Sequence, residues 1–104
     1  MPDPLRPTTC ARVLKALADP ERLRIVNCLR PSPQIVSELA VRLRSELANV
    51  SHHLGVLRQA GLVLDRKDGK YVVYRLHPDV FRPAGPGHPA DCLDLGCCRL
   101  ELNG

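Results

Sequence analysis

Cys92, Cys97 and Cys98 lie within seven residues near the end of a 104-residue chain. Thiolates are soft ligands and select thiophilic ions such as As(III), Cd(II), Zn(II) or Cu(I). Three thiolates in a trigonal site suit As(III) or Sb(III). His88 extends the pattern to His-x3-Cys-x4-Cys-Cys, and a fourth ligand would suit tetrahedral zinc. Cys10 is a further thiol, available from the same chain or from a second copy. A different reading has Cys97 and Cys98 pack at a dimer interface beside Leu93, Leu95, Leu100 and Leu102, in a chain that binds its nucleic acid constitutively, since free cysteine is commonly buried. A third reading is a thiol-redox or persulfide switch, because a vicinal Cys97–Cys98 bond is strained and labile. The opening Met1-Pro2-Asp3-Pro4 has neither the basic nor the apolar region of a secretory leader. A cytoplasmic protein with free thiols is therefore expected, not a disulfide framework built from the five cysteines.

A second constellation occupies the middle of the chain. Leu47, Val50, Leu54 and Leu57 recur at spacings of 3, 4 and 3 and form one apolar stripe of a helix over about 46–60. The opposite face holds Ala48, Asn49, His52, Gly55 and Val56, flanked by Ser51 and His53. Small residues admit close approach to a groove. Asn pairs with adenine, and Ser and His donate to base edges or phosphates. Because the N-terminal part of such a helix does most of the reading, Asn49, Ser51, His52 and His53 are the expected DNA contacts. His52 and His53 do not form a metal pair, because neighbours on a helix diverge by about 100°. Downstream, Asp68-Gly69 between two extended runs is a tight-hairpin signal. Arg66, Lys67, Lys70 and Arg75 on that hairpin are the expected phosphate contacts.

These side chains need a scaffold, and the rest of the sequence supplies one. A first helix follows Thr8 or Thr9. Asp19-Pro20-Glu21 then combines an N-cap, an N1 proline and a first-turn acid, which starts a second helix. Val36, Leu39, Ala40 and Leu43 mark a third helix. Gly61 closes the fourth helix, and Tyr71-Val72-Val73-Tyr74 is strand-like. The fold class is mainly α with a small β-hairpin: a winged helix-turn-helix. At this length one core is marginal, so a homodimer is expected. Residues 1–82, with a proline-rich arm over 1–7, form the DNA-binding part. Residues 83–104 form a linker and a cysteine-containing tail, read as a strand bulged at Gly96 with a short helix as the alternative. The charge divides the same way. The first part carries 14 Lys/Arg against 8 Asp/Glu, the second Arg99 against Asp91, Asp94 and Glu101. Positive charge in the body suits a phosphate partner. No apolar run approaches the length of a membrane span. No nucleophile with a base partner, phosphate loop or carboxylate pair emerges, so an enzyme is not expected.

Leu17-Ala18-Asp19-Pro20-Glu21-Arg22-Leu23-Arg24-Ile25-Val26, then Val50–Val63, then Asp65–Lys70 through Tyr74-Arg75-Leu76 follow one another in order. Together they resemble the ArsR/SmtB family of bacterial repressors over about residues 11–77. The resemblance implies a homodimeric winged helix-turn-helix repressor on double-stranded operator DNA, released when an inducer binds, often a toxic metal or metalloid ion. Many metalloid-sensing members open the third helix with Cys-Val-Cys. Here Ile35-Val36-Ser37 stands in that place, so that site is absent. Zinc-type members use Asp and His on a long final helix, which this tail lacks. Persulfide-sensing members pair a cysteine of the second helix with one of the last. Cys28 falls one position away, and its spacing from Ile25 reads as packing. The tail cysteines Cys92, Cys97 and Cys98 thus remain as the expected inducer ligands.

Overall fold

Asp19 sets the first corner of the chain. A computed structural model describes residues 7–103. In it α1 (Pro7–Leu17) ends just before Asp19, whose carboxylate accepts the N–H groups of Glu21 at 2.9 Å and Arg22 at 3.1 Å. Pro20 occupies the first helical position, and α2 runs over Pro20–Leu29. The arm expected over residues 1–7 lies outside the described residues except for Pro7, which opens α1. A turn at Arg44, in left-handed conformation at φ 52°, joins α3 (Val36–Leu43) to α4 (Leu47–Gln59). The backbone N–H of Ser45 closes that turn on the carbonyl of Ala40 at 3.0 Å.

The buried face of α4 is the stripe the sequence shows, except at Leu47, which sits in the first turn and is 55% exposed. Val50, Leu54 and Leu57 are fully enclosed, with Ile25 and Val26 of α2 and Leu39 of α3 around them. This packing fixes which face of α4 remains outside. Two strands, β2 (Val63–Asp68) and β3 (Tyr71–Leu76), form the hairpin, in register from Val63↔Leu76 to Asp68↔Tyr71. The two-residue strand β1 (Gln34–Ile35), absent from the sequence reading, adds to β3 on its other edge. Too short to show a period of two, it is held by its partner strand rather than by its own pattern.

The tail forms a second sheet of three strands together with the end of the preceding part: β4 (Phe81–Arg82) lies before residue 83, and β5 (Asp91–Asp94) and β6 (Arg99–Leu102) lie in the tail. The single bulged strand expected there is instead a hairpin, paired from Asp91↔Leu102 to Asp94↔Arg99. Gly96 does mark the irregularity, at φ 86°, but as part of a chain reversal. The N–H of Leu95 donates to the carbonyl of Cys98 at 2.9 Å, and the Asp94 carboxylate accepts the N–H of Gly96. The parity switch at Cys97-Cys98 is therefore the change of strand direction. Leu93 of β5 enters the common core. Among the described residues, no helix is long and apolar enough to cross a membrane.

Arg30, at the end of α2, fastens the tail. Its guanidinium meets the Asp91 carboxylate at 2.9 Å, the carbonyl of Asn103 at 2.8 Å and the side-chain oxygen of Asn27 at 3.1 Å. The backbone N–H of Ala84 and then Arg30 hold the Asp91 carboxyl below its ordinary value of 3.8. The backbone N–H and charge of Arg22 do the same for Asp19. A carboxyl whose folded value is depressed stabilises the fold above its unfolded value, and that stability fades as pH falls through the folded one. Melting temperature is expected to drop as pH falls from near 3.8, with Asp91→Asn flattening part of the fall. An acid profile unaltered by Asp91→Asn would contradict the clamp.

Candidate nucleic-acid interface and thiol centre

The outer face of α4 carries the four expected DNA-contacting residues in two distinct states. Asn49, Ser51 and His52 are exposed. Asn49 leans back toward the turn before its helix, its side-chain amide donating to the Ser45 hydroxyl at 3.0 Å. His53 is half-buried, and its Nδ1 lies 3.1 Å from an Arg22 guanidinium nitrogen of α2. The His52 and His53 rings diverge, with centroids 5.4 Å apart and planes at 56°. Asn49, Ser51 and His52 are thus open to a ligand in the groove, while His53 has one ring nitrogen committed inside the protein.

The hairpin exposes all four expected phosphate-contacting cations, Arg66, Lys67, Lys70 and Arg75. Register divides them. Arg66 pairs with Val73, and Arg75 with Leu64. Because partners across a ladder share a face and neighbours along a strand alternate, Arg66 and Arg75 share one face. Lys67, opposite Val72, occupies the other. Lys70 sits in the turn with its ammonium 5.3 Å from the centre of the Tyr71 ring, a cation–π contact that restrains it. Arg58 of α4 pairs with Asp65 of β2 at 3.1 Å and tethers the hairpin to the helix.

The thiols assemble differently from the sequence expectation. Cys97 and Cys98, in the turn between β5 and β6, meet Cys10 of α1, and the three Sγ atoms lie within 4.8 Å of one another. Cys92 is not in this group. It precedes the buried Leu93 on β5, so strand alternation turns it to the other face. His88 is not in the group either. The free-thiol expectation also fails at one pair. Cys10 and Cys97 form a disulfide across 87 residues of sequence, with Cα atoms 6.0 Å apart. Cys98, Cys92 and Cys28 are free, and the Cys98 sulfur lies 3.8 Å from that of Cys97. Cys28 packs at the core margin, as its spacing suggests. Sequence alone offered one hint of the true cluster, a cysteine at the start of the first helix. The return of the tail over α1 is a tertiary event that carries no local signal.

A helix-turn-helix domain family matches residues 17–66, which hold α2, α3, α4 and the start of β2. Over 69 residues the chain is 42% identical to the arsenic resistance transcriptional regulator ArsR1 of Pseudomonas putida, covering 65% of this chain and 54% of that protein. It is 45% identical over 67 residues to the transcriptional regulator NmtR of Mycobacterium tuberculosis, covering 64% and 56%. Among solved structures it is similar to the homodimeric winged helix-turn-helix DNA-binding domain of a possible ArsR-family regulator from Mycobacterium bovis. That likeness has a TM-score of 0.67 at 33% identity and covers 69% of this chain and 67% of that one. The chain belongs to the ArsR/SmtB family. It spans little more than half the length of the two curated relatives. Within this ArsR/SmtB chain α3, the Arg44 turn and α4 form the helix-turn-helix, and β2–β3 form the wing. The family segment includes neither Cys10 nor the tail, so the thiol centre is a feature of this chain beyond the matched domain.

Proposed function

We propose that this ArsR/SmtB protein is a cytoplasmic, homodimeric repressor that binds operator DNA and leaves it when a thiophilic ion is held by Cys10, Cys97 and Cys98. In this reading residues 1–82 bind DNA and residues 83–104 complete the sensor. Asn49, Ser51 and His52 read bases, and Arg66, Lys67, Lys70 and Arg75 hold phosphates. The observation that carries the sensing half is the meeting of three sulfurs, one from a helix and two from a turn more than eighty residues away. The regulator ArsR1 of Pseudomonas putida, a relative, is named for arsenic resistance.

The donor set favours a class of ion. Zinc sites in proteins are four-coordinate, and this group supplies three sulfurs. Three thiolates match a trigonal ion such as As(III) or Sb(III) better than tetrahedral Zn(II). The thiols must give up their protons to act as ligands. Three thiolates on one centre would hold α1 to the tail, which Arg30 already fastens to α2. Repression is relieved if that arrangement disfavours the spacing of recognition helices that the operator demands.

Fluorescence anisotropy on DNA from upstream of the protein's own gene tests the whole reading. Reduced protein is expected to bind, and As(III) to lower its affinity about 100-fold, a coupling of ~2.7 kcal/mol. Tight binding that As(III), Sb(III), Cd(II), Zn(II), Cu(I) and a persulfide donor all leave undisturbed would remove the sensing half. Failure to bind would remove the rest.

A further inference from the structure

Arg22 joins three parts of the molecule. Its Nε–H donates to the carbonyl of Ala16, in the last turn of α1. That carbonyl is one of the four a helix leaves without an internal partner. A terminal guanidinium nitrogen reaches Nδ1 of His53 on α4 at 3.1 Å and approaches the Asp19 carboxylate at 4.0 Å. Asp19 in turn caps α2. The Arg22 side chain is 15% exposed, so these bonds are largely shielded from water. Guanidinium has donors and no acceptor. His53 Nδ1 must therefore accept, and the proton of its neutral ring resides on Nε2.

We infer that Arg22 is the positioning residue of the DNA-reading helix. It locks His53 as an Nε2–H donor and ties the pose of α4 to the end of α1, the helix that carries Cys10. The inference rests on reading α4 as the DNA-contacting helix. It assigns His53 one role toward DNA: it donates to a phosphate or base acceptor and does not accept from a base amine. It also identifies the connection between the thiol centre and the recognition helix. Cys10 lies six residues before Ala16 on one continuous helix, and Arg22 bridges directly from that helix end to α4. A guanidinium serves two acceptors at once through its fixed fork, which a lysine ammonium reproduces poorly. Arg22→Lys therefore keeps the charge and loses one of the two links.

The test follows the His53 ring in the full chain by long-range 1H–15N spectroscopy, alongside operator affinity. Wild type is expected to show Nε2 protonated and Nδ1 bare. Arg22→Gln is expected to show mixed tautomers and about tenfold weaker DNA binding, with Arg22→Lys between the two. A double-mutant cycle with His53→Ala is expected to be non-additive, since both changes remove one bond. On adding As(III) to reduced protein, backbone shifts are expected in α4 of wild type and not of Arg22→Gln. A His53 tautomer unchanged in Arg22→Gln, or effects that add within twofold, would overturn the assignment. Should Arg22→Gln fail to fold, Arg22→Lys and the His53→Ala cycle carry the same decision. Wild-type protein that binds no DNA sinks the functional reading instead, and the ring measurement still judges Arg22.

Discussion

Cys10→Ser is expected to abolish the response to As(III), while Cys92→Ser leaves it intact. The two outcomes separate the cluster assembled in the fold from the one suggested by proximity in sequence. Cys10 lies 82 residues before Cys92, yet its sulfur is within 4.8 Å of both Cys97 and Cys98. Removing one of three thiolates leaves two donors, too few for a trigonal site, so the ~100-fold change in DNA affinity equivalent to ~2.7 kcal/mol should fall to nearly none. Cys97→Ser and Cys98→Ser should behave like Cys10→Ser. The disulfide adds a second arm to the experiment. Thiolates, not disulfide sulfurs, are the ligands, and the Cys10–Cys97 bond occupies two of the three donors. Oxidised protein should therefore ignore As(III) until a reductant is added. Equal responses from oxidised and reduced protein would place the inducer elsewhere. Loss of response in Cys92→Ser with retention in Cys10→Ser would restore the grouping read from sequence.

What was legible in the sequence was whatever local rules govern. Asp19-Pro20-Glu21 had to start a helix, because the cap, the N1 proline and the first-turn acid all act within four residues. Val50, Leu54 and Leu57 had to face inward, and that fixed most of the outward face of α4; Leu47, expected inside, is exposed, and Val56, expected outside, packs against the core. Asp68-Gly69 had to reverse the chain. The features that escaped were set between distant segments. Ile35 reads as the edge of a helix, and its pairing with Val73 is decided by β3. His53 looks as free as His52 until Arg22 of another helix is seen beside its ring. Arg30 and Asp91, 61 residues apart, carry no mark that they will meet. In the tail, alternation was visible but its cause was not. A parity change signals a bulge or a turn equally well, and the backbone at Gly96 decides for the turn. The thiol centre belongs to this second kind, which is why the sequence placed Cys97 and Cys98 together but joined them to Cys92 and not to Cys10.

Lys67→Ala is expected to weaken operator binding for every DNA sequence alike, and to flatten its dependence on salt. Each phosphate neutralised by a protein cation releases counterions and contributes about 0.9 to the slope of log K against log salt. In a dimer one substitution removes two contacts, so the slope should fall by about 1.8, and affinity near 0.15 M salt should drop roughly 30-fold. The same reasoning applies to Arg66 and Arg75, which gives the comparison its force. Those two share one face of the β2–β3 ribbon, and Lys67 occupies the other. A twisted ribbon that lays one face against the backbone cannot use both faces equally. The change in slope should therefore differ between the faces, with Arg66 and Arg75 moving it together and Lys67 by a different amount. The face whose cations move it more lies closer to the DNA backbone, and no change for Lys67→Ala would remove Lys67 from the phosphate contacts. Asn49→Ala should behave in the opposite way. An amide that reads a base edge carries about 1–3 kcal/mol of discrimination and no counterions. Its loss should relax sequence preference at one position and leave the salt slope where it was. A hairpin whose four cations can each be removed without moving the slope would not be a phosphate-binding wing, whatever its resemblance in shape.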